Sequence, residues 1–283
     1  MPRAELLARA GLELSDEVEP APADASEMWH FWGGGGNTGM SGQLTRPDTQ
    51  EDAGRSFRFA CQDVTLLVSE RQQKMSDLST DLTGDLVWPT AVAFCKYLCD
   101  RRELVQGSRV CDLGAGTGLV GLVASRLGAS QVTLTDVPRV LPLLSRNAAL
   151  ACVPDAEKKE VDKGQNVSVR ALFWGAAEAE DFVREEGLFD LVICCEVVYQ
   201  QPQQVWEALQ ATLRRLLRPG GRAVFAYQHR DGAEITDAHF FDTLEQNAGL
   251  RFQSQESLAD WDGAWEEMDF RWVRTYVAAE SSL

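Results

Sequence analysis

The sequence of 283 residues has 27 lysines and arginines against 43 aspartates and glutamates, a formal net charge of −16. Because nucleic acids and anionic membranes are bound by clustered positive charge, this acidity disfavours both as partners. A composition of 45% hydrophobic and 25% charged residues is typical of a globular protein with a substantial core, which excludes disorder throughout.

The first 55 residues differ in composition from the rest. Ten acidic residues, four arginines and a GGGG run are typical of an acidic, largely disordered arm. An aromatic cluster at 28–32 could pin this arm to the following domain or to a partner. We therefore expect an arm over residues 1–55 and one folded domain over residues 56–283.

The N-terminus has no apolar run of the kind found in signal peptides, and it is too acidic for a transit peptide. No stretch approaches the ~18 apolar residues of a spanning helix. The seven cysteines include no CxxC pair, and Cys194 and Cys195 lie in an apolar run, where a thiolate is disfavoured. We expect free thiols, no bound metal, and a cytoplasmic location with the nucleus as a second possibility.

Strands and helices alternate along the rest of the chain. A strand or hairpin is predicted over 59–69, and a helix follows Trp88-Pro89. The predicted strands after it are 108–113, 131–135, 167–173, 189–195, 222–228, 250–256 and 271–278. The predicted helices are 119–127, 140–150, one around 205–216 that ends at Pro219-Gly220-Gly221, and 239–247.

Short apolar strands that alternate with helices predict an α/β fold. We expect a Rossmann-like, doubly wound and mostly parallel seven-stranded sheet, with helices on both faces. Its last two strands are expected to form an antiparallel hairpin at one edge.

A glycine-rich turn in the run VCDLGAGTG places Gly114, Gly116 and Gly118 where a strand becomes a helix. Glycines there let a ligand approach the backbone and the N-terminus of the helix. Asp136, at the end of the next strand, could accept both hydroxyls of a ribose, and Asp112 suits an ammonium group. Together they indicate an amino-acid-bearing nucleoside; a dinucleotide, or a plain tight turn with Asp136 as a helix cap, remain alternatives.

Several motifs together are typical of a known group. They are VCDLGAGTG, Thr135-Asp136, Phe173-Trp174-Gly175, LLRPGGRAVF, Val87-Trp88-Pro89, Leu119-Val120-Gly121 and Glu196-Val197-Val198-Tyr199. On these motifs the chain resembles the seven-β-strand S-adenosylmethionine-dependent methyltransferases over roughly residues 58–278. More narrowly, it is similar to methyltransferase family 16, whose members mostly methylate lysines on other proteins.

The resemblance implies that S-adenosyl-L-methionine is the cofactor and assigns residues to it. Trp88 would lie over the cofactor, and Gly114, Ala115 and Gly116 would contact its methionine portion. Asp136 would hold the ribose, Trp174 would border the adenine, and the backbone of Cys195 would contact the cofactor. For both tryptophans, ordinary core packing is the alternative.

Glu196 and Tyr199 are the candidate catalytic pair. Glu196 would bind and orient an arriving lysine, and Tyr199 would cap the pocket or hydrogen-bond the amine. Most family members have aspartate where this chain has Glu196, and the glutamate form also resembles a histidine-methylating branch. A plain helix-start acid is a further alternative for Glu196.

The sequence therefore predicts an S-adenosylmethionine-dependent protein-lysine N-methyltransferase. The alternatives are a histidine or small-molecule N-methyltransferase, or a non-catalytic methyltransferase-like adaptor. We expect a monomer that acts on a basic, lysine-presenting protein. The acidic segment 256–269, with Trp261 and Trp265, could receive that partner or pack on the sheet edge, and His229 and His239 are expected to be structural.

Overall fold

The computed structural model describes residues 12–14, 55–71, 83–151, 166–199, 201–228, 234–258 and 271–279. The aromatic cluster 28–32, His229, Trp261 and Trp265 lie outside the described residues, as does most of the predicted arm. The predictions for these segments stay predictions.

Ten strands lie within these ranges. In chain order they are β1 (Leu12–Leu14), β2 (Arg55–Cys61), β3 (Val64–Glu70), β4 (Arg109–Leu113), β5 (Gln131–Asp136), β6 (Val167–Ala171), β7 (Phe189–Cys195), β8 (Leu217–Gln228), β9 (Leu250–Ser257) and β10 (Arg271–Ala278).

Seven α-helices are described. They are α1 (Pro89–Asp100), α2 (Leu119–Arg126), α3 (Leu141–Ala151), α4 (Ala176–Glu186), α5 (Gln203–Leu216), α6 (Glu234–Asp242) and α7 (Leu244–Ala248). Within the described ranges, none combines the length and the apolar character that crossing a bilayer requires.

A seven-stranded sheet in the order β6-β5-β4-β7-β8-β10-β9 forms the centre of the fold. The pairs among β4 to β8 are parallel. Strand β10 is antiparallel to both of its neighbours, β8 and β9, so β9 and β10 form a hairpin at one edge. The predicted fold class, including the edge hairpin, is confirmed.

The central strands of the sheet are buried on both faces, and most of their positions are apolar. Along β7, Leu191 and Ile193 pack into one core with α1, α2 and the β2–β3 hairpin. Val192 and Cys194 pack into the other core with α4 to α7. Successive residues of a strand point to opposite faces, so the apolar run from Leu191 to Cys195 in β7 requires this two-sided cover.

The second sheet is three-stranded and antiparallel, in the order β1-β2-β3. The predicted hairpin over 59–69 is present as β2 and β3, and Gln62 adopts a left-handed φ of 53° at its turn. Strand β1 comes from the predicted arm and pairs with β2, with Leu12 opposite Phe59. Residues 12–14 of the predicted arm are therefore part of this sheet. For the rest of residues 1–54 the arm stays a prediction.

Besides β6, which ends at Ala171 instead of residue 173, three elements differ from the sequence prediction. Helix α4 was not predicted, because only Ala179 and Phe182 on it are buried and its apolar stripe is correspondingly narrow. Strand β8 begins at Leu217, so 219–221 lies inside a strand whose pairing with β7 shifts register near Phe189. The predicted helix 239–247 is two helices, interrupted at Thr243, whose hydroxyl donates to the carbonyl of His239 at 2.9 Å.

Candidate functional site

A cavity of about 890 Å³ lies at the carboxyl ends of β4 to β7. In this sheet β4 lies between β5 and β7. The strands that follow β4 in the chain are therefore added first on one side of it, as β5 and β6, and then on the other side, as β7 and β8. Open α/β sheets bind their ligands at such a point. All ten predicted site residues line this cavity: Trp88, Asp112, Gly114, Ala115, Gly116, Asp136, Trp174, Cys195, Glu196 and Tyr199.

The turn after β4 forms a cradle that has no room for side chains. Gly114 has a φ of 74°, and a Cβ there would lie 2.9 Å from Cγ1 of Val197 and 3.3 Å from Cζ2 of Trp174. Gly116 has a φ of 56°, and a Cβ there would lie 3.1 Å from the carbonyl oxygen of Gly84. Only glycine combines this backbone with such close neighbours, which keeps the main chain of the turn accessible from the cavity.

Asp136, at the end of β5, is bound to this turn. Its Oδ2 accepts a hydrogen bond from the N–H of Gly116 at 2.8 Å, and its Oδ1 accepts one from the N–H of Val137 at 2.8 Å. Burial raises the pKa of Asp136, while these two hydrogen bonds and the nearby Arg139 oppose that rise. The carboxylate of Asp136 thus holds the turn after β4 in place. It does not cap α3, because that helix begins only at Leu141.

Asp112 is a buried carboxylate in the wall of the cavity, with 1% of its surface exposed. Its Oδ2 accepts a hydrogen bond from the N–H of Gly121 in α2 at 2.8 Å. Burial raises the pKa of Asp112 to about 7, with a smaller contribution from the negative charge of Asp136. A positive group bound nearby would favour the ionised form and lower this pKa.

The segment 83–88 forms a further wall, and the sequence indicated only Trp88 within it. The indole N–H of Trp88 donates to the carbonyl of Thr83 at 3.1 Å, and the N–H of Val87 donates to Oε2 of Glu70 at 3.1 Å. The N–H of Arg71 donates to the carbonyl of Asp85 at 3.0 Å. These bonds attach the segment to β3 and fix the position of Trp88.

Asp85 is a functional candidate that sequence reasoning missed. It is fully buried, and its Oδ2 lies 3.4 Å from a guanidinium nitrogen of Arg71 and 3.5 Å from one of Arg139. Arg139 lines the cavity beside Asp136. Asp85 thereby fixes the guanidinium of Arg139 at the cavity wall. The only signal for Asp85 in the sequence was its place three residues before the predicted site residue Trp88.

Glu196 follows β7 with a left-handed φ of 55°, which is uncommon for a residue other than glycine. Its N–H donates to the carbonyl of Ala226 at 2.8 Å, and its Oε1 accepts the N–H of Gln228 at 2.9 Å. Tyr199, three residues on, is half-buried at the cavity. The end of β8 thus holds the main chain and the carboxylate of Glu196 in place.

Cys195 and Cys194 are thiols in the sheet beside this site. Desolvation raises the pKa of both thiols well above the ordinary value, and the charge of Glu196 adds to the rise at Cys195. A thiol is a nucleophile only when it is ionised. The two cysteines are therefore poorly suited to nucleophilic or redox chemistry in this environment.

The turn after β6 brings two aromatic side chains to the cavity. Trp174 is half-buried beside Gly114, whereas Phe173 is 56% exposed. The N–H of Gly175 donates to the hydroxyl of Thr212 in α5 at 2.8 Å, which holds this turn against the helix. The sequence predicted a strand as far as residue 173, but β6 ends at Ala171, so Phe173 lies in the turn that follows the strand.

The charged residues that line the cavity give it an acidic character. Three carboxylates, those of Asp112, Asp136 and Glu196, face one guanidinium, that of Arg139, among the lining residues of the described part of the chain. A concave acidic site concentrates cations. The site can therefore bind a ligand that carries positive charge together with a polar, hydroxyl-bearing part.

Comparison with known proteins gives a family and several relatives. A family model described as lysine methyltransferase matches residues 69–247. The chain is 37% identical over 128 residues to the protein-lysine methyltransferase METTL21E of Bos taurus, covering 44% of this chain and 41% of that protein. It is 35% identical over 150 residues to the EEF1A lysine methyltransferase 3 of Mus musculus, covering 52% and 58% respectively. The chain thus spans about half the length of these curated relatives.

Among solved structures, the fold is similar to that of a proposed SAM-dependent methyltransferase from Streptococcus mutans. The TM-score is 0.54 at 15% identity, and the match covers 83% of this chain and 57% of the other. A second neighbour is the T. thermophilus 16S rRNA N2 G1207 methyltransferase in complex with AdoMet and guanosine. Here the TM-score is 0.50 at 19% identity, with 80% and 50% coverage. At such identities the likeness concerns the fold alone.

Proposed function

Since the chain belongs to the lysine methyltransferase family, we propose that it methylates a lysine side chain of a protein substrate with S-adenosyl-L-methionine. The observation that supports this most directly is the convergence of the glycine cradle, Asp112, Asp136 and Glu196 on one cavity. When bound, the cofactor supplies an electrophilic methyl group on a positively charged sulfur. The protein must then bind the substrate lysine, orient its amine toward this methyl group and favour the loss of the amine's proton.

The residues of the cavity fit this cofactor. The turn at 114–116, with glycine at its first and last positions, would receive the methionine portion, and the carboxylate of Asp112 suits its ammonium group. Asp136 would accept the ribose hydroxyls, and the ring of Trp174 would border the adenine. Trp88, fixed by its bond to Thr83, would cover the cofactor, and Cys195 would contact it through its backbone.

A lysine substrate must lose a proton before it can be methylated. A free lysine has a pKa near 10.4, so deprotonation at pH 7 costs ~4.6 kcal/mol. The positive charge of the bound cofactor and desolvation in the cavity would both favour the neutral amine and offset this cost. Glu196 would draw in and orient the ammonium form, because a carboxylate attracts the cation, and Tyr199 would cap the pocket or hydrogen-bond the amine.

The glutamate at position 196 is compatible with a lysine substrate. Its longer side chain brings Oε1 to the N–H of Gln228, which gives a structural reason for a glutamate where aspartate is the commoner residue. The departure therefore does not by itself require a histidine acceptor. Histidine methylation, small-molecule methylation and an adaptor role are outcomes that the experiment below distinguishes.

The proposal extends to partners and location. The acidic cavity and the net charge of −16 favour a basic, lysine-presenting protein over nucleic acid or an anionic membrane. The six described cysteines are free thiols, which suits a reducing compartment such as the cytoplasm or nucleus. We further propose that a monomer is active and that residues 1–55, apart from β1 and from Arg55 in β2, form an arm outside the catalytic domain.

Radiolabelled S-adenosylmethionine incubated with the protein and a cell extract tests the proposed activity. We expect protease-sensitive label in macromolecules and labelled methyl-lysine after acid hydrolysis. Label only in small molecules would contradict a protein substrate, and labelled methyl-histidine would contradict lysine as the acceptor. Calorimetry provides the control, because no binding of S-adenosylmethionine at high micromolar concentration would exclude every enzymatic alternative.

A further inference from the structure

An exposed aromatic ring lies at the rim of the cavity. Phe173 lines the cavity and is 56% exposed, so a ligand can reach it from solvent. It is one of three large hydrophobic residues that are exposed in the described part of the chain. The other two, Leu188 and Phe252, do not line the cavity.

The turn that carries Phe173 borders the same part of the cavity as Glu196. A Cβ at Gly114 would lie 3.3 Å from Cζ2 of Trp174 and 2.9 Å from Cγ1 of Val197. The residue after Phe173 and the residue after Glu196 therefore meet at one glycine of the cradle.

Helix α5 connects this turn with the loop after β7. The N–H of Gly175 donates to the hydroxyl of Thr212 at 2.8 Å, which fixes the turn against the helix. The first two turns of the same helix line the cavity with Gln204, Val205 and Ala208. One wall of the cavity therefore runs from the turn after β6, along α5, to the loop that holds the proposed catalytic pair.

A carboxylate lies at the turn after β6 as well. Glu178 is in the first turn of α4, and its carboxylate lies so close to Gly175 that a Cβ there would collide with it. Glu178 is exposed, and its side chain has no ion pair or hydrogen bond with another described residue. By contrast, Glu180 in the same helix pairs with Arg215 of α5 at 2.8 Å. The turn thus presents an aromatic ring and a negative charge that no described cation neutralises.

An aromatic ring and a carboxylate at one turn suit a basic side chain. A guanidinium or ammonium group is attracted to the face of the ring and forms charge-assisted hydrogen bonds with the carboxylate. Both cationic groups of the cofactor belong to its methionine portion, which is assigned to the cradle and Asp112. A small ligand is buried over most of its surface, whereas the exposed ring of Phe173 suits cover by a protein.

We infer that Phe173 and Glu178 bind a second basic side chain of the protein substrate, close to the lysine that is methylated. The inference rests on the proposed function and adds a determinant of substrate choice outside the cofactor site. The two residues would lower the KM for the acceptor protein and leave the methyl-transfer step unchanged.

The test measures methyl transfer from saturating radiolabelled S-adenosylmethionine to increasing amounts of cell-extract protein. Phe173→Ala and Glu178→Gln should each raise the KM for extract protein about 3- to 10-fold, since each removes one of the two contacts. The maximal rate, and the cofactor affinity measured by calorimetry, should stay at their wild-type values. Glu178→Lys should raise the KM further, because it repels a basic side chain.

A double variant and two controls make the result specific. If both residues hold the same side chain, Phe173→Ala with Glu178→Gln should raise the KM by less than the product of the two single effects. Phe252→Ala replaces a phenylalanine that is 57% exposed on β9, and Glu185→Gln replaces an exposed acid at the other end of α4. Both controls should keep the wild-type KM.

Three results would overturn the inference. A wild-type KM in both single variants would show that the substrate does not meet this turn, and weaker cofactor binding would assign Phe173 to the adenine. A wild-type KM in Glu178→Lys would exclude a cation as the bound group. If wild type itself labels no protein, the proposed function fails and this inference falls with it. The two failures are distinguishable because the wild-type reaction is measured first.

Discussion

The side-chain oxygen Oε1 of Glu196 accepts a hydrogen bond from the backbone N–H of Gln228 at 2.9 Å. The N–H of Glu196 donates in turn to the carbonyl of Ala226, also in β8. The neighbouring strand therefore holds the residue at both its main chain and its carboxylate, in a left-handed conformation that costs roughly 1–2 kcal/mol. Such a fixed and strained acid at a cavity is typical of a functional residue.

Replacing Glu196 should separate turnover from cofactor binding. Glu196→Ala removes the proposed lysine-binding carboxylate, so we expect methyl transfer to fall by at least about 100-fold. Cofactor affinity, measured by calorimetry with S-adenosylmethionine, should change little because the side chain is not assigned to the cofactor. The exposed Glu185→Ala in α4 is the control and should behave as wild type. Equal loss of binding and turnover in Glu196→Ala would show that this residue serves the cofactor.

Cofactor affinity should depend on pH through Asp112. The pKa of this buried carboxyl is about 7, and a bound ammonium group favours its ionised form, so affinity should rise between about pH 6 and pH 8. Calorimetry at several pH values measures the rise. Asp112→Asn, which keeps an oxygen for the N–H of Gly121, should bind more weakly and remove most of the dependence. Affinity that falls with pH in the wild-type protein would contradict the assignment.

The same carboxyl should make stability depend on pH in the opposite direction. Its pKa in the folded chain lies above the ordinary value of 3.8, so the folded state binds more protons than the unfolded state between the two values. The contribution of Asp112 to the free energy of unfolding therefore falls as pH rises from about 4 to 7, and is constant above that. Urea unfolding should show a smaller fall in Asp112→Asn than in wild type; an unchanged slope would contradict this prediction.

Most of the fold could be predicted because the central strands are short, apolar and separated by clear turn signals. Strands β7 and β10 begin and end at the predicted residues, and the family resemblance is confirmed by the match over residues 69–247. Helix α4 was missed because it buries only Ala179 and Phe182, which leaves little helical periodicity. The start of β8 was missed because Pro219 and two glycines ordinarily mark a turn.

The meeting of the predicted site residues at one cavity could be predicted, but the contacts that hold them there could not. All ten predicted residues line one cavity, since motifs at the carboxyl ends of neighbouring parallel strands converge. The bonds from Gln228 to Glu196 and from Arg139 to Asp85 join residues 32 and 54 positions apart. No local pattern encodes such pairs.

We expect Gly118, in the turn after β4, to tolerate a side chain less well than Gly107, which also has a positive φ. A Cβ at Gly118 would lie 2.6 Å from Cδ1 of the buried Leu144, whereas a Cβ at Gly107 would have nothing within 4 Å. Both glycines have positive φ values, 83° and 73°, so backbone strain in an alanine variant should lower the free energy of unfolding by about 1 kcal/mol at either position. Gly118→Ala should lose about 1–3 kcal/mol more than Gly107→Ala in urea unfolding. Equal losses in the two variants would show that backbone strain alone sets the cost.

Asp136→Ala should abolish detectable binding of S-adenosylmethionine while the chain stays folded. The carboxylate is assigned to the ribose, and it also accepts the N–H groups of Gly116 and Val137, so the variant loses the ligand contact and the support of the cradle together. Calorimetry should show affinity reduced by at least about 100-fold, equivalent to roughly 2.7 kcal/mol. Asp136→Asn keeps one acceptor oxygen and should lie between alanine and wild type. Asp181→Ala is the matched control, since its exposed ion pair with Arg184 contributes little; wild-type affinity in Asp136→Ala would contradict the ribose assignment.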